Sequence, residues 1–123
     1  MKRLESKRLL YDGMDTDGFY QRNHDITGLV FNIKDIIENR IEKLKGRISQ
    51  EVFLKITAEC GFRTNANDDF AKHFKDFDFG EFYLSNEGLE LYYIISNSVL
   101  YIFSFGESQP ARYKLYLEGV WEM

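Results

Sequence analysis

The pattern of apolar and polar positions changes its period about two thirds of the way along the chain. In the first part, aliphatic residues recur every three or four positions, at Ile33, Ile36, Ile37, Ile41, Leu44 and Ile48. This spacing predicts an amphipathic helix from Lys34 to Gly46. A second helix is expected to begin after Ser49, whose side chain can cap it, and to end at Gly61.

A third helix is predicted to begin near Asn67, because phenylalanines recur on one side of the segment that follows, at Phe70, Phe74 and Phe77. His73 lies four residues after Asp69 in this segment, which is a possible spacing for a carboxylate that orients a general base. A surface pair of helix residues is the simpler interpretation. We favour it because no nucleophile or second histidine lies nearby in the sequence.

The last third of the chain instead alternates with the period of two that is typical of strands. Leu89–Ile95 and Val99–Phe105 are separated by a Ser-Asn-Ser turn and predict a hairpin. Glu81–Leu84 before it and Arg112–Leu117 after it predict further strands, and the charged side chains of the latter favour a position at the sheet edge. Both hairpin strands are apolar on both faces, so each face requires cover.

Two shorter segments, Phe19–Tyr20 and Leu29–Phe31, can each form a strand. Together these elements predict an α+β fold for residues 1–123 as a single domain. Its antiparallel sheet would have about four to five strands and be packed on one face by two or three helices. The opposite face would then meet more of the chain, a second subunit or a ligand.

Composition agrees with a domain that folds without covalent or metal cross-links. The chain has 123 residues, of which 44% are hydrophobic and 29% charged. A chain of this length buries roughly two thirds of its unfolded surface. The single cysteine, Cys60, excludes an intramolecular disulfide and favours a reducing compartment. Because Cys60 falls on the apolar side of the second helix, we interpret it as a core residue rather than a nucleophile.

Charge and targeting features narrow the classes of partner. The net charge of -4 disfavours broad binding to nucleic acid, which depends on releasing counterions from phosphates. Residues 1–8 carry four basic residues and one acidic residue, which we interpret as a solvated tail. The apolar run Leu9–Tyr11 is too short for a secretion signal, and no stretch approaches the roughly 18 apolar residues of a membrane span. We therefore expect a cytoplasmic protein that binds no membrane.

No segment carries a strong signature of catalysis or of cofactor binding. Asp12–Gly18 resembles a calcium loop in its Asp-Thr-Asp-Gly sequence, but the first and twelfth loop positions would be Gly13 and His24, so an acidic turn is favoured. No glycine-rich phosphate loop occurs. We expect no metal and no cofactor, and a small hydrolase assembled around His24, Asp25 and His73 stays an alternative.

Function is inferred by exclusion. A small, acidic, aromatic-rich chain without a catalytic, metal or phosphate signature fits a non-enzymatic protein-binding module, such as a bacterial immunity protein or a phage-encoded inhibitor of a host protein. Tyrosine is enriched in protein interfaces. The residues predicted to contact a partner are Tyr92, Tyr101 and Tyr116, either in a homodimer or against a foreign protein. The acidic segment Asp68–Glu81 is the alternative surface.

The segment from Leu29 to Tyr93 also resembles a known family. Its last part, Gly-Glu-Phe-Tyr-Leu-Ser-Asn-Glu-Gly-Leu-Glu-Leu-Tyr-Tyr at residues 80–93, is similar to a hairpin of the bacterial cell-envelope domain found at the C-terminus of some anti-sigma factors and beside some peptidoglycan deacetylases. Some members of that family bind lysozyme, so the resemblance implies a domain that binds a cell-envelope ligand. After Tyr93 the sequence departs from the family pattern, and we transfer no functional residue.

Overall fold

The computed structural model describes residues 2–26, 28–38, 42–43, 48–64, 83–84, 89–108 and 112–123. The elements within these ranges are, in chain order, β1 (Lys2–Glu5), β2 (Arg8–Gly13), α1 (Thr16–Gln21), β3 (His24–Ile26), β4 (Leu29–Phe31), α2 (Ile33–Glu38), β5 (Glu42–Lys43), α3 (Gln50–Glu59), β6 (Arg63–Thr64), β7 (Tyr83–Leu84), β8 (Glu90–Ser96), β9 (Val99–Ser108) and β10 (Arg112–Glu122). The predicted third helix and His73 lie outside the described residues.

The main sheet is antiparallel, in the order β1-β10-β9-β8-β7-β6. Two more strands join it at the sides, because β2 also pairs with β10 and β5 also pairs with β8. Its five strands of four or more residues are β1, β2, β8, β9 and β10. β3 and β4 form a separate hairpin. The predicted α+β fold with an antiparallel sheet is confirmed.

The central hairpin follows from its local sequence. Ser96 pairs with Val99, which leaves a two-residue turn in which Asn97 has φ 51° and Ser98 has φ 61°. Two consecutive positive φ angles define a type I′ turn, whose twist matches that of the flanking strands. The predicted β8–β9 hairpin is therefore confirmed.

The position of the last strand differs from the prediction. β10 continues to Glu122 and is paired along its length with β9, with a bulge between Leu117 and Gly119. Its other side pairs with β1 and β2, so Arg112–Leu117 is not a sheet edge. The prediction was wrong because residues 2–13, which include the expected solvated tail, form the strands that cover this side.

α3 confirms the predicted second helix and both of its ends. The Ser49 side chain accepts a hydrogen bond from the Val52 amide at 3.3 Å, which satisfies a free donor of the first turn. At the other end Gly61 has φ 74°, and the amides of Gly61 and Phe62 donate to the carbonyls of Ala58 and Thr57. This is a Schellman ending, in which glycine takes the left-handed conformation without strain.

The other predictions for the first half of the chain were only partly right. Of the helix expected over Lys34–Gly46, the described residues include α2 (Ile33–Glu38), whereas Glu42–Lys43 pairs as a strand with β8. Phe19–Tyr20 lies in α1 rather than in a strand, because Asp15 caps this helix by accepting from the Gly18 amide at 3.1 Å. Leu29–Phe31 is a strand, as predicted.

Both faces of the sheet are covered, whereas helical cover was expected on one face. On the face that we call the α3 face, residues of α3 and its flanks pack on Leu91, Tyr93, Leu100, Ile102 and Trp121. On the opposite face, which we call the aromatic face, residues of α1, α2 and the β3–β4 hairpin pack on Tyr92, Tyr101, Phe103, Leu115, Leu117 and Val120. The alternation of side chains along β8 and β9 assigns neighbours to opposite cores.

Candidate functional site

The structure places two of the three predicted contact tyrosines inside the protein. Tyr92 and Tyr101 are only 8% and 4% exposed and belong to the core of the aromatic face. The Tyr92 ring stacks on Phe105 with centroids 4.3 Å apart, and its hydroxyl donates to Glu90 at 2.8 Å. The expectation that this face is open to a partner was wrong, because the segment from α1 to α2 folds over it.

Tyr116 lies on the other face of the sheet and remains partly exposed. In the register of β2 and β10 it stands opposite Leu9, whose side chain is 50% exposed. The Lys7 ammonium lies 4.5 Å from the centre of the Tyr116 ring, within the range of a cation–π contact. We call the surface formed by Lys7, Leu9, Asp12, Arg112 and Tyr116 the Tyr116 surface.

A buried carboxylate lies beneath this surface. Glu118 is fully buried, and its Oε2 accepts a hydrogen bond from the Ser104 hydroxyl and lies 3.3 Å from the Lys7 ammonium. Its Oε1 is buried without a hydrogen-bond partner in the structure. Lys7 thus supplies the charge that compensates Glu118 and also contacts the Tyr116 ring. A buried carboxylate is costly unless it is paired, so the contact with Lys7, which lies between β1 and β2, lowers the cost of burying Glu118.

The bulge in β10 brings a second cation close to the sheet. The Arg3 guanidinium donates to the Glu118 carbonyl and lies 5.0 Å above the Trp121 ring. Trp121 in turn donates from Nε1 to Glu59 at 3.0 Å. A Cβ atom at Gly119 would stand 2.6 Å from the Trp121 ring and 2.9 Å from Nε of Arg3. Glycine is therefore required for Arg3 and Trp121 to meet over the bulge.

The far end of the Tyr116 surface is closed by an exposed ion pair. Arg112 donates from Nε to Asp12. The hydrogen bond from Arg112 lowers the pKa of Asp12 below its ordinary value, and Asp12 in return raises the pKa of Arg112. Because the pair is in contact with solvent, it orients the two side chains more than it stabilises the fold.

The residues proposed for a hydrolase do not form a site in the described part of the chain. His24 is buried against Phe31, with ring centroids 5.4 Å apart, and its Nε2 has no hydrogen-bond partner in the structure. Burial, with a smaller contribution from the charge of Arg22, lowers the pKa of His24, so its neutral form is favoured. Asp25 is exposed on the opposite side of β3, because adjacent residues of a strand point to opposite faces.

Two other candidates take structural positions. Cys60 packs against the core of the α3 face, as predicted, and burial together with the nearby Glu118 raises the pKa of its thiol to about 12. The thiol is therefore protonated at neutral pH. Asp15, in the segment that resembles a calcium loop, is the cap of α1. Within the described ranges, no three His, Cys, Asp or Glu side chains are grouped as a metal site would require.

Comparison with known proteins identified no relative. No protein-family model matches the chain, and no significant match was found among curated proteins or solved structures. The resemblance of residues 80–93 to the cell-envelope domain therefore stays a prediction. In the described part of the chain, no helix is long and apolar enough to cross a membrane.

Sequence reasoning missed the residues that surround Tyr116. Lys7 and Arg3 lie in a basic segment that was interpreted as a tail, and Glu118 lies just beyond the expected end of the last strand. One signal was available. Val120 and Trp121 continue the apolar pattern of β10 past residue 117, which indicates a strand longer than Arg112–Leu117.

Proposed function

We propose that this protein is a non-enzymatic protein-binding module and that the Tyr116 surface is its contact surface. The observation that carries the proposal is the Leu9–Tyr116 pair, an exposed aliphatic side chain beside a partly exposed tyrosine on two hydrogen-bonded strands. Protein interfaces typically have tyrosine and apolar side chains at the centre and charged side chains around them. Here the rim consists of Lys7 and the Arg112–Asp12 pair.

The rigidity of the Tyr116 surface also favours a binding function. β10 is paired with β9 on one side and with β1 and β2 on the other, so Tyr116 is held by strands on both sides. A rigid platform loses little conformational entropy when it binds, which increases affinity without additional contacts. This suits an immunity protein or a phage-encoded inhibitor, which acts by occupying a surface of its target.

The alternative functions have less support in the described residues. A hydrolase would need His24 and Asp25 to act together, but the first is buried and the second faces away from it. For binding of a cell-envelope ligand, the described residues offer no contact that favours it. Binding of another protein is therefore the function that the described residues favour.

The test is capture of a partner from cells of the organism that encodes the protein, with quantification by mass spectrometry. The parent chain is compared with Leu9→Glu and Tyr116→Ala. Ile95→Glu is the matched control, since Ile95 is an exposed aliphatic residue at the end of β8, away from the Tyr116 surface. We expect a protein that the parent and the control retain and that both surface variants lose. Equal retention by all four chains would contradict the proposal.

A further inference from the structure

β1 and β2 lie end to end along one side of β10. β1 pairs with Val120–Glu122, and β2 pairs with Tyr113–Leu117. In the part of the chain that the structure describes, neither strand pairs with another strand on its outer side. An edge strand directs alternate N–H and C=O groups outward, where another extended chain can bind them. With six residues, β2 has the length of a typical strand and can accept one.

This edge has a charge opposite to that of the rest of the protein. Residues 2–13, which contain both strands, carry the basic residues Lys2, Arg3, Lys7 and Arg8 and two acidic residues, so their net charge is +2. Since the whole chain carries -4, the remainder carries -6. Two copies pairing edge to edge would place these basic residues against one another, which disfavours a second copy as the occupant.

The same strands expose aliphatic side chains among the charges. Leu4 and Leu9 are 45% and 50% exposed. A partner strand would direct its own side chains alternately to the two faces of the sheet and could cover aliphatic groups there. The edge therefore combines backbone donors and acceptors, positive charge and apolar contact, which are the elements of recognition by strand addition.

We propose that the β1–β2 edge binds an extended segment of another protein in which acidic residues alternate with aliphatic ones, so that the segment is added to the sheet as a further strand. This inference rests on the protein-binding function proposed above and specifies the chemistry of the partner. Backbone hydrogen bonds along β2 would hold the segment, and its carboxylates would face Lys2 and Arg8.

The experiment selects binders to the full-length protein from a displayed library of short random peptides. We expect the enriched peptides to be acidic with alternating aliphatic residues. The peptide that binds best is then synthesised in two N-methylated forms. In one form the methyl groups are on the alternate amides that would face β2, and in the other they are on the amides that would face away from it. The form with the edge-facing amides methylated should lose about tenfold or more in affinity, because it can no longer donate backbone hydrogen bonds to β2. The other form should bind nearly as well as the parent peptide.

Charge reversal provides the matched control on the protein side. Arg8→Glu should weaken the peptide about fivefold, whereas Lys55→Glu, the same change on the exposed side of α3, should not. Enrichment of peptides that are not acidic, failure to enrich any, or equal binding of the two methylated forms would each overturn strand addition. If the partner-capture experiment described above still depends on Leu9 and Tyr116, the protein-binding function would stand even though strand addition does not.

Discussion

The aromatic face of the sheet is covered by side chains of α1, α2 and the β3–β4 hairpin, whereas the α3 face combines an apolar core with cations from β1 and β2. On the aromatic face, Tyr92 and Tyr101 are enclosed in the core, and burial is the source of their contribution to stability. On the α3 face, Tyr116 lies at the margin of the core, above Glu118 and beside Lys7. Of the three tyrosines predicted to contact a partner, the two on the aromatic face therefore have a structural role, whereas the one on the α3 face stays partly exposed.

The largest expected difference is between Tyr101 and Tyr116. Tyr101→Ala should lower the free energy of unfolding by about 3–5 kcal/mol, because it opens a cavity in a closed aromatic core. Tyr116→Ala should cost about 1 kcal/mol, since the partly exposed ring leaves little cavity behind. Urea denaturation followed by circular dichroism measures both. Equal losses would mean that the two faces do not differ as described.

A substitution at the bulge tests the close packing of the α3 face. Gly119→Ala should lower stability by about 1–3 kcal/mol, because the new Cβ overlaps the Trp121 ring and Arg3. Tryptophan fluorescence should shift at the same time, since the ring must move to make room. Gly28→Ala is the comparison, because there the cost comes from its φ of 81° with no atom within 4 Å of a Cβ. It should leave the fluorescence unchanged, and a Gly119→Ala variant of parent stability would contradict the contact.

Two substitutions separate the contributions of Lys7 and Glu118 to the stability of the α3 face. Lys7→Ala leaves Glu118 buried without its cation and should cost about 1–2 kcal/mol, a value reduced by the exposure of the Lys7 side chain. Glu118→Gln removes the buried charge and keeps an acceptor for Ser104, so it should cost less. Thermal unfolding of the two single variants and of the double variant shows which substitution lowers stability more. A larger loss in Glu118→Gln would show that the pair itself stabilises the fold.

The smallest expected effect is the response of the aromatic face to pH. Burial lowers the pKa of His24 relative to the unfolded chain, so the unfolded state binds more protons between the two pKa values. Stability from this residue is complete above the unfolded value near 6.5 and is lost as the pH falls through the folded value. His24→Phe should flatten the dependence of the melting temperature between pH 7.5 and 5. If the melting temperature of His24→Phe changes with pH as much as that of the parent, groups other than His24 cause the pH dependence.

The elements that sequence reasoning predicted correctly are those whose signals lie within a few residues. α3 has a serine cap at its start, apolar residues at helical spacing and a glycine at its end, and all of these act locally. The β8–β9 hairpin is similarly local, since the two turn residues and the strands that flank them are contiguous. For these segments the sequence was sufficient.

The incorrect predictions concern contacts between distant parts of the chain. Helical spacing of the aliphatic residues continues past Glu38, yet Glu42–Lys43 pairs with β8, about 50 residues away in the sequence. Residues 2–13 have too little apolar character to predict strands by themselves, and they are ordered by β10, about 100 residues away. Local propensity is a weak preference that such tertiary pairing overrides.

The sequence by itself determined the class of fold, the hairpin, the capped helix and the presence of apolar residues on both faces of the central strands. Only the tertiary structure decided which of those faces is closed and by what. Tyr92, Tyr101 and Tyr116 all lie on strands with an alternating pattern, but two are covered by α1, α2 and the β3–β4 hairpin and one is not. Burial depends on which distant segments pack on a strand, and the residues of the strand do not encode this.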